Sequence, residues 1–189
     1  YTISFTYDAR GRMIYSKDRT GIEEWRTYAL LEDGSERLDI IRHIPSGNAV
    51  PFITTEHVIR NREGKVLKVV DINGHVSTYE YDSDGDLTKF STYDSEEDLE
   101  ASADNWQSRT EWIYVKNESG GILQEEERLT YTDDFGNEID STSIREFDSH
   151  GHLISEVDPD GNARKYSYEF YSYNHKPRSL TTYFYKGID

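Results

Sequence analysis

Hydrophobic and polar residues alternate along most of this chain, and short polar turns interrupt the alternation at regular intervals. An alternation with a period of two places successive side chains on opposite faces of a β-strand. The pattern predicts an antiparallel, all-β structure in which helical periodicity is scarce. The predicted strands cover residues 3–7, 12–17, 24–31, 37–43, 56–60, 66–71, 75–81, 87–93, 111–116, 122–132, 138–147, 153–157, 163–173 and 178–185.

Residues 95–106 are the one segment with helical spacing. Leu99, Ala103 and Trp106 recur at this spacing, and Ser95 is a suitable N-cap before three acidic residues. The apolar stripe is narrow, so the pattern predicts a short surface helix or an ordered loop. Residues 44–51 contain two prolines that cannot donate hydrogen bonds to a neighbouring strand, and they are predicted to form a loop.

The chain is predicted to be one β-repeat domain over residues 1–189. A division into two blocks of repeats, 1–94 and 110–189, stays open as an alternative, because the polar segment 95–109 interrupts the strands. Only 34% of the residues are hydrophobic, whereas 13% are aromatic. A thin, open or curled sheet is therefore expected instead of a thick sandwich, with at most one short helix.

The turns share a pattern in which Asp or Asn precedes Gly by three residues. The turns at Asp8, Asn61, Asp82 and Asp148 have this form. The side chain of Asp or Asn accepts a hydrogen bond from the backbone two residues later, and Gly supplies the positive φ that ends the turn. Several successive glycines lie 10 or 11 residues apart, which makes a hairpin of about twenty residues the repeating unit.

The motif Tyr-Asp-x-x-Gly, followed two residues later by Leu, Met or Val, resembles the YD repeat of the Rhs family. Tyr7-Asp8-Ala9-Arg10-Gly11-Arg12-Met13 matches it well, and Phe147-Asp148-Ser149-His150-Gly151-His152-Leu153 is a second copy. Residues 22–55 and 95–130 lie outside the resemblance. The resemblance implies strands that wrap into shells, a bacterial protein that is secreted, periplasmic or at the cell surface, and in some members carbohydrate binding.

Charge and composition argue against several classes of binding partner. Thirty-seven acidic residues against twenty-one Lys and Arg give a net charge of −16. This negative charge opposes binding to nucleic acids or anionic lipids, because both bind to basic patches. No apolar run approaches the roughly 20 residues needed to span a bilayer, so membrane insertion is not expected. The chain has no cysteine, which excludes disulfides and thiol chemistry.

The aromatic C-terminus is the predicted ligand-binding region. The last 24 residues contain eight aromatic residues, and five of them are the predicted ligand-binding residues: Tyr166, Tyr168, Phe170, Tyr183 and Tyr185. Flat aromatic faces with polar rims bind sugar rings or proteins. The alternative is that these rings pack between neighbouring repeats and cap the stack.

Three motifs suggest other chemistry, and each also fits a turn of the repeat. Asp82-Ser83-Asp84-Gly85-Asp86 offers oxygen ligands for calcium but departs from the EF-hand pattern. His150 and His152 have a spacing that permits a shared metal, although no third ligand is marked. Asp158-Pro159-Asp160-Gly161-Asn162 partly resembles the self-cleavage element of larger Rhs proteins, but Asn162 replaces its Leu. No metal, cofactor or catalytic residue is predicted.

These observations predict a non-enzymatic binding or scaffolding module whose partner is a protein or a carbohydrate. The alternative is a hydrolase that acts on glycans with two carboxylates across a cleft. No nucleophile elbow or Ser-His pairing is evident in the sequence. Exposed edges of an open sheet favour pairing with a second copy, so a homodimer is a further prediction.

Overall fold

The computed structural model is an open antiparallel β-sheet and confirms the predicted fold class. It describes residues 3–47, 50–133, 135–170 and 177–186. Strands that follow one another in the chain are neighbours in the sheet. The strands are β1 (Ser4–Tyr7), β2 (Met13–Lys17), β3 (Glu23–Leu30), β4 (Glu36–Ile44), β5 (Phe52–Arg60), β6 (Val66–Val70), β7 (Val76–Tyr81), β8 (Leu87–Tyr93), β9 (Ser108–Lys116), β10 (Ile122–Thr132), β11 (Glu138–Phe147), β12 (Leu153–Val157), β13 (Ala163–Phe170) and β14 (Pro177–Tyr185).

Most strand bounds lie within one residue of the prediction, and the largest differences are at the starts of β5 and β9. β5 begins four residues before its predicted start, because Phe52 pairs with Ile44 and the hairpin with β4 continues almost to the loop. β9 begins at Ser108, which pairs with Tyr131 of the long strand β10. Because each strand pairs with a long neighbour, it extends beyond the residues whose hydrophobic–polar alternation predicts it. The end of the predicted strand 163–173 lies outside the described residues.

The repeat turns have the hydrogen bonds that the motif predicts. At Asp148, one carboxylate oxygen accepts from the backbone nitrogens of His150 at 2.8 Å and His152 at 2.9 Å. The backbone nitrogen of Gly151 donates to the Asp148 carbonyl at 3.0 Å, and Gly151 has a φ of 83°. The same arrangement recurs at Asn61 and elsewhere, which shows why Asn and Asp are interchangeable at this position.

Replacing Asp148 with Ala is expected to lower the free energy of unfolding by about 1–2 kcal/mol, because two backbone donors lose their acceptor. Asp148→Asn keeps the side-chain oxygen and is expected to cost less than half as much. Urea denaturation of the two variants and the wild-type protein checks this expectation. Equal losses for Ala and Asn would show that the carboxylate charge, and not the turn hydrogen bonds, is what matters.

The chain divides into two compact units. Unit 1 comprises Tyr1–Glu80 and Ser91–Gln107, and unit 2 comprises Tyr81–Phe90 and Ser108–Asp189. Unit 1 contains the helix α1 (Glu96–Ala101), which is capped by Ser95 as predicted and is the only helix among the described residues. At six residues, α1 is too short to cross a membrane.

Unit 1 buries one apolar cluster on each face of its strands. On one face, Leu38, Ile40 and Val58 are buried together and pack against Tyr28 and Val69. On the other face, the buried residues are Val70, Val76 and Tyr93, and the α1 segment covers them with Leu99 and Trp106. The predicted apolar stripe of the helical segment therefore contributes Leu99 and Trp106 to a core.

Candidate functional site

The aromatic residues predicted to bind a ligand are divided between the two faces of the sheet. In the register of β13 with β14, Tyr183 lies opposite Lys165, the sequence neighbour of Tyr166. Directly paired residues point to the same face, and sequence neighbours point to opposite faces. Tyr166 and Tyr168 therefore share one face, and Tyr183 and Tyr185 share the other. The predicted set is not brought together on one surface.

Two of these tyrosines use their hydroxyls within the protein. The Tyr166 hydroxyl donates to Oε1 of Glu156 at 2.6 Å. The Tyr168 hydroxyl donates to the Leu153 carbonyl at 2.7 Å, and its ring centroid lies 5.3 Å from that of His152. Both residues are half-buried. They support neighbouring strands, and a direct role in ligand binding stays a prediction.

The most exposed aromatic residue of β14 is Phe184, at 73%. It pairs with Arg164, so it lies on the same face as Tyr166, and the guanidinium carbon of Arg164 is 5.6 Å from its ring centroid. Tyr183 and Tyr185 are about half exposed on the opposite face. The Phe170 side chain lies outside the described part of the structure.

A cavity of about 320 Å³ opens on the face of unit 2 that carries Arg164. We call it the Arg145 cavity. Its polar lining residues are Glu127, Ser141, Ser143, Arg145, Glu156, Asp158, Asn162 and Arg164, and its apolar ones are Leu129, Val157 and Pro159. The cavity therefore combines hydrogen-bond donors, acceptors and small apolar surfaces, as ligand sites do.

Cross-strand register brings the charged groups of the cavity together. Glu127 of β10 pairs with Ser143 of β11, and Arg145, two residues further along β11, pairs with Glu156 of β12. Glu156 in turn pairs with Arg164 of β13. These five residues point to one face because each pair is directly opposed. Four successive strands thus form a row of alternating acidic and basic side chains.

Arg145 has hydrogen-bonding capacity left for a ligand. Its Nη1 lies 2.6 Å from Oε1 of Glu125 and 3.7 Å from Oε2 of Glu127. Both contacts involve Nη1, whereas a guanidinium offers five N–H donors in a rigid fork. The side chain is 44% exposed. Arg145 is therefore held in place by acidic neighbours while its side chain stays partly exposed.

Glu156 is kept ionised by its neighbours. The Tyr166 hydroxyl donates to it, and Nη1 of Arg164 lies 2.9 Å from Oε1. These two contacts hold the pKa of Glu156 below its usual range. The hydrogen bond between Tyr166 and Glu156 also raises the pKa of Tyr166. Glu156 is consequently a hydrogen-bond acceptor at neutral pH and not a proton donor.

The three aspartates of the Asp82–Asp86 motif converge on a lysine. In unit 2, Nζ of Lys116 lies 2.8 Å from Asp82, 2.7 Å from Asp84 and 2.7 Å from Asp86. The hydrogen bond from Lys116 and the backbone donor of Asp86 lower the pKa of Asp82 to about 2. The ammonium group thus lies between the three carboxylates and offsets their mutual repulsion.

The two histidines next to Gly151 are engaged with their own turn. Their ring centroids are 6.1 Å apart, and Nδ1 of His152 lies 3.0 Å from Oδ2 of Asp148. Among the described residues, no group of three or more His, Asp or Glu side chains is arranged to hold a metal ion.

The segment that partly resembles a self-cleavage element forms an ordinary turn of the repeat. The Asp158 carboxylate accepts from the backbone nitrogens of Asp160 at 3.1 Å and Asn162 at 2.8 Å. The Asn162 amide also donates to Asp158 at 3.0 Å. Asp158 and Asn162 are both at the wall of the Arg145 cavity, so this turn shapes the candidate site.

Comparisons with known proteins give similar solved structures at low identity. No family model and no curated protein matches the sequence. Among solved structures, the chain is similar to a crystal structure of TcdB2-TccC3, with a TM-score of 0.49 and 17% identity. The same complex without its hypervariable C-terminal region gives 0.48 and 16%, and a Photorhabdus luminescens Tc holotoxin pore with a TccC3 mutation gives 0.47 and 16%.

Each of these similarities covers 95% of this chain but only 10% of the other. This chain therefore spans about a tenth of the length of the chains it matches. With TM-scores below 0.5 and identities of 16–17%, these similarities carry no conclusion about this chain. The function proposed below rests on the residues of this chain.

The cavity residues were missed in the sequence because they come from four strands. Arg145, Arg164 and Glu127 look like ordinary solvated positions in their own segments. Phe184 belongs to the aromatic C-terminus, but its position between two tyrosines does not show which face it occupies. The register of β13 with β14 determines the face of Phe184, and residues 171–176 between these strands lie outside the described residues.

Proposed function

We propose that this protein is a non-enzymatic binding module whose ligand is a carbohydrate held in the Arg145 cavity. The single observation that supports this proposal best is the cavity itself, with its guanidinium, hydroxyl and carboxylate groups beside the exposed ring of Phe184. Sugars present hydroxyls that both donate and accept hydrogen bonds and C–H faces that stack on aromatic rings. The two kinds of surface lie on the same face of unit 2.

Each part of the site has a role in this proposal. The remaining donors of Arg145 bind sugar oxygens, and Glu127 and Glu156 accept from sugar hydroxyls. Ser143 adds a group that both donates and accepts. Phe184 stacks against a sugar ring at the edge of the cavity. The charge of −16 supports this choice over a nucleic acid or an anionic lipid surface.

We further propose that the protein is a segment of a secreted, periplasmic or cell-surface Rhs-like protein of a bacterium. The support is the recurring Tyr-Asp-x-x-Gly motif, which resembles the YD repeat, together with the hairpin geometry of its turns. In such a protein the sheet serves both as scaffold and as binding surface. Pairing of exposed sheet edges between two copies remains part of this proposal.

A glycan hydrolase is the second candidate, because Glu127 and Glu156 line one cavity. A glycosidase needs one carboxyl with a raised pKa as general acid and a second carboxylate as base or nucleophile. The pKa of Glu156 is lowered, and Glu127 lies within 3.7 Å of Arg145. The lowered pKa of Glu156 suits hydrogen-bond acceptance better than acid catalysis.

A glycan-array screen of the wild-type protein tests the proposal. The glycans that bind are then used to compare the affinities of two variants. Phe184→Ala is expected to weaken binding about fivefold, because a stacked ring contributes roughly 1 kcal/mol. Tyr185→Ala removes the neighbouring aromatic residue on the opposite face and is expected to leave affinity unchanged. Equal losses for both variants, or no specific binding on the array, would contradict a site at the Arg145 cavity.

A further inference from the structure

The turn between β6 and β7 in unit 1 contains the one Asn-Gly pair of the sequence, Asn73-Gly74. This turn has the form that recurs along the chain. Oδ1 of Asp71 accepts from the backbone nitrogens of Asn73 at 2.8 Å and His75 at 3.0 Å. Because Asp71 supplies the side-chain acceptor, the turn does not require the amide of Asn73. Asn73 itself is exposed.

The other described asparagines use their side chains in hydrogen bonds. Oδ1 of Asn61 and of Asn117 accepts from backbone nitrogens of its own turn. Nδ2 of Asn137 and of Asn162 donates to the aspartate that begins its turn, and Nδ2 of Asn105 donates to the Asp98 carbonyl at 3.3 Å. Each of these asparagines is followed by a residue that carries a side chain. Asn73 therefore stands apart in the residue that follows it.

An asparagine followed by glycine has a known route of spontaneous reaction, and asparagine is among the thermolabile residues of proteins. The backbone nitrogen of Gly74 bonds to Cγ of Asn73, the bond from Cγ to Nδ2 breaks, and ammonia leaves. One water molecule from the solvent then opens the resulting succinimide ring at either of its two carbonyl groups. Opening at Cγ gives aspartate with a normal backbone, and opening at the main-chain carbonyl gives isoaspartate, whose backbone runs through Cγ.

The attacking nitrogen of Gly74 is uncrowded. Glycine has no Cβ. In the described part of the structure, no heavy atom outside the neighbouring residues lies within 4 Å of the position that a Cβ on Gly74 would take. In the closed turn this nitrogen donates to the Asp71 carbonyl at 3.0 Å. The attack therefore requires the turn to open at this bond, and exposed turns open locally at a low cost in free energy.

The two products have different effects on the turn. Aspartate fits, because Asp84 and Asp160 occupy the same position in turns of the same form. Isoaspartate adds one atom to the backbone between the two nitrogens that Asp71 binds. The residues on either side of the turn are Val70 and Val76, which pair with one another and are buried in a core cluster. A longer turn is therefore expected to weaken this pairing.

We propose that Asn73-Gly74 is a site of spontaneous deamidation, and that its isoaspartyl product loosens the β6–β7 hairpin and destabilises unit 1. The modification is independent of the proposed carbohydrate binding, since its residues lie in the other unit from the Arg145 cavity. The stability of unit 1 consequently falls as the protein ages, through one exposed turn beside a buried core.

Mass spectrometry of peptides from the incubated protein tests the reaction. The protein is kept folded, or unfolded in urea, in mildly alkaline buffer made with oxygen-18 water. Ring opening during the incubation places oxygen-18 in the product, which separates this reaction from deamidation during digestion. In the folded protein, Asn73 is expected to react several times faster than Asn105, which is also exposed but precedes Trp106, and to yield isoaspartate as well as aspartate. Equal rates at the two asparagines, or an Asn73 that reacts only in urea, would overturn the proposal.

Two variants test the effect on stability. Asn73→Thr removes the reactive amide, and Thr20 occupies this position in the turn that begins at Asp18. Asn73→Asp reproduces the aspartyl product. After the same incubation, the wild-type protein is expected to melt at a lower temperature than before, whereas Asn73→Thr keeps its melting temperature and fresh Asn73→Asp melts like the fresh wild-type protein. An equal loss for the wild-type protein and Asn73→Thr, or unchanged melting of a converted wild-type protein, would contradict destabilisation by isoaspartate. Fresh Asn73→Asp that melts as low as the aged wild-type protein would assign the loss to the added charge and also overturn it.

Discussion

Replacing Tyr93 with Ala is expected to lower the free energy of unfolding by about 3–5 kcal/mol, the usual cost of removing a large aromatic side chain from a core. Tyr93 is 4% exposed and packs with Val70 and Val76 under the α1 segment. Its hydroxyl also donates to the Ala103 carbonyl at 3.0 Å, which fixes the residues after α1 to the sheet. The substitution removes both the packing and this attachment.

Tyr93→Phe separates the two contributions. It keeps the ring and loses only the hydroxyl, so the expected cost is about 1 kcal/mol. Urea denaturation followed by circular dichroism and tryptophan fluorescence measures both variants, and Trp106 reports on the same cluster. If Tyr93→Ala lowered the free energy of unfolding no more than Tyr93→Phe does, this cluster would not be the core of its face of the sheet.

Lys116→Met is expected to change the dependence of stability on pH more than any other single substitution in unit 2. Lys116 binds three aspartates, and its own pKa is raised by the hydrogen bonds to them. Without the ammonium group, Asp82, Asp84 and Asp86 repel one another at neutral pH. The variant is therefore expected to unfold at a lower temperature than the wild-type protein at pH 7.

The sign of the pH effect follows from Asp82. Its pKa in the folded protein is about 2, below the roughly 3.9 of an unfolded chain. Such a group contributes stability that is present above pH 4 and lost as the pH falls toward 2. Lys116→Met raises the pKa of Asp82 toward its ordinary value, so the variant is expected to lose less stability than the wild-type protein between pH 4 and pH 2.

Melting temperatures measured from pH 7 to pH 2 check this expectation. Lys65→Met is the control, because Lys65 lies 3.8 Å from Glu63, a much longer contact than those of Lys116. That substitution is expected to shift the whole curve little and leave its slope unchanged. Parallel curves for Lys116→Met and the wild-type protein would show that the ammonium group does not control the titration of Asp82.

The repeat turns and most strands could be predicted from the sequence because their causes are local. The Asx hydrogen bond, the glycine with positive φ and the alternation of side chains all act within about ten residues, as the turn from Asp148 to Gly151 illustrates. Ser95 as a helix cap is equally local. The extension of β5 back to Phe52 was missed because it depends on pairing with Ile44 across a loop.

The candidate site could not be predicted because its parts come from distant positions in the chain. Arg145 and Glu125 are 20 residues apart, and Lys116 is 34 residues from Asp82. Which residues share a face depends on the register of every hairpin, and a shift of one residue exchanges the faces. For that reason the predicted tyrosines at 183 and 185 lie on the face opposite the cavity, whereas Phe184 lies beside it.

Measuring binding and product formation in the same sample tests most directly whether this protein binds a carbohydrate without cleaving it. The glycan that binds best on the array is incubated with the wild-type protein and with a Glu156→Gln variant, and chromatography then records the intact and shortened chains. Recovery of the bound glycan intact from both proteins is the predicted result. Shortened chains that appear with the wild-type protein and disappear with Glu156→Gln, or the absence of any bound glycan, would contradict it.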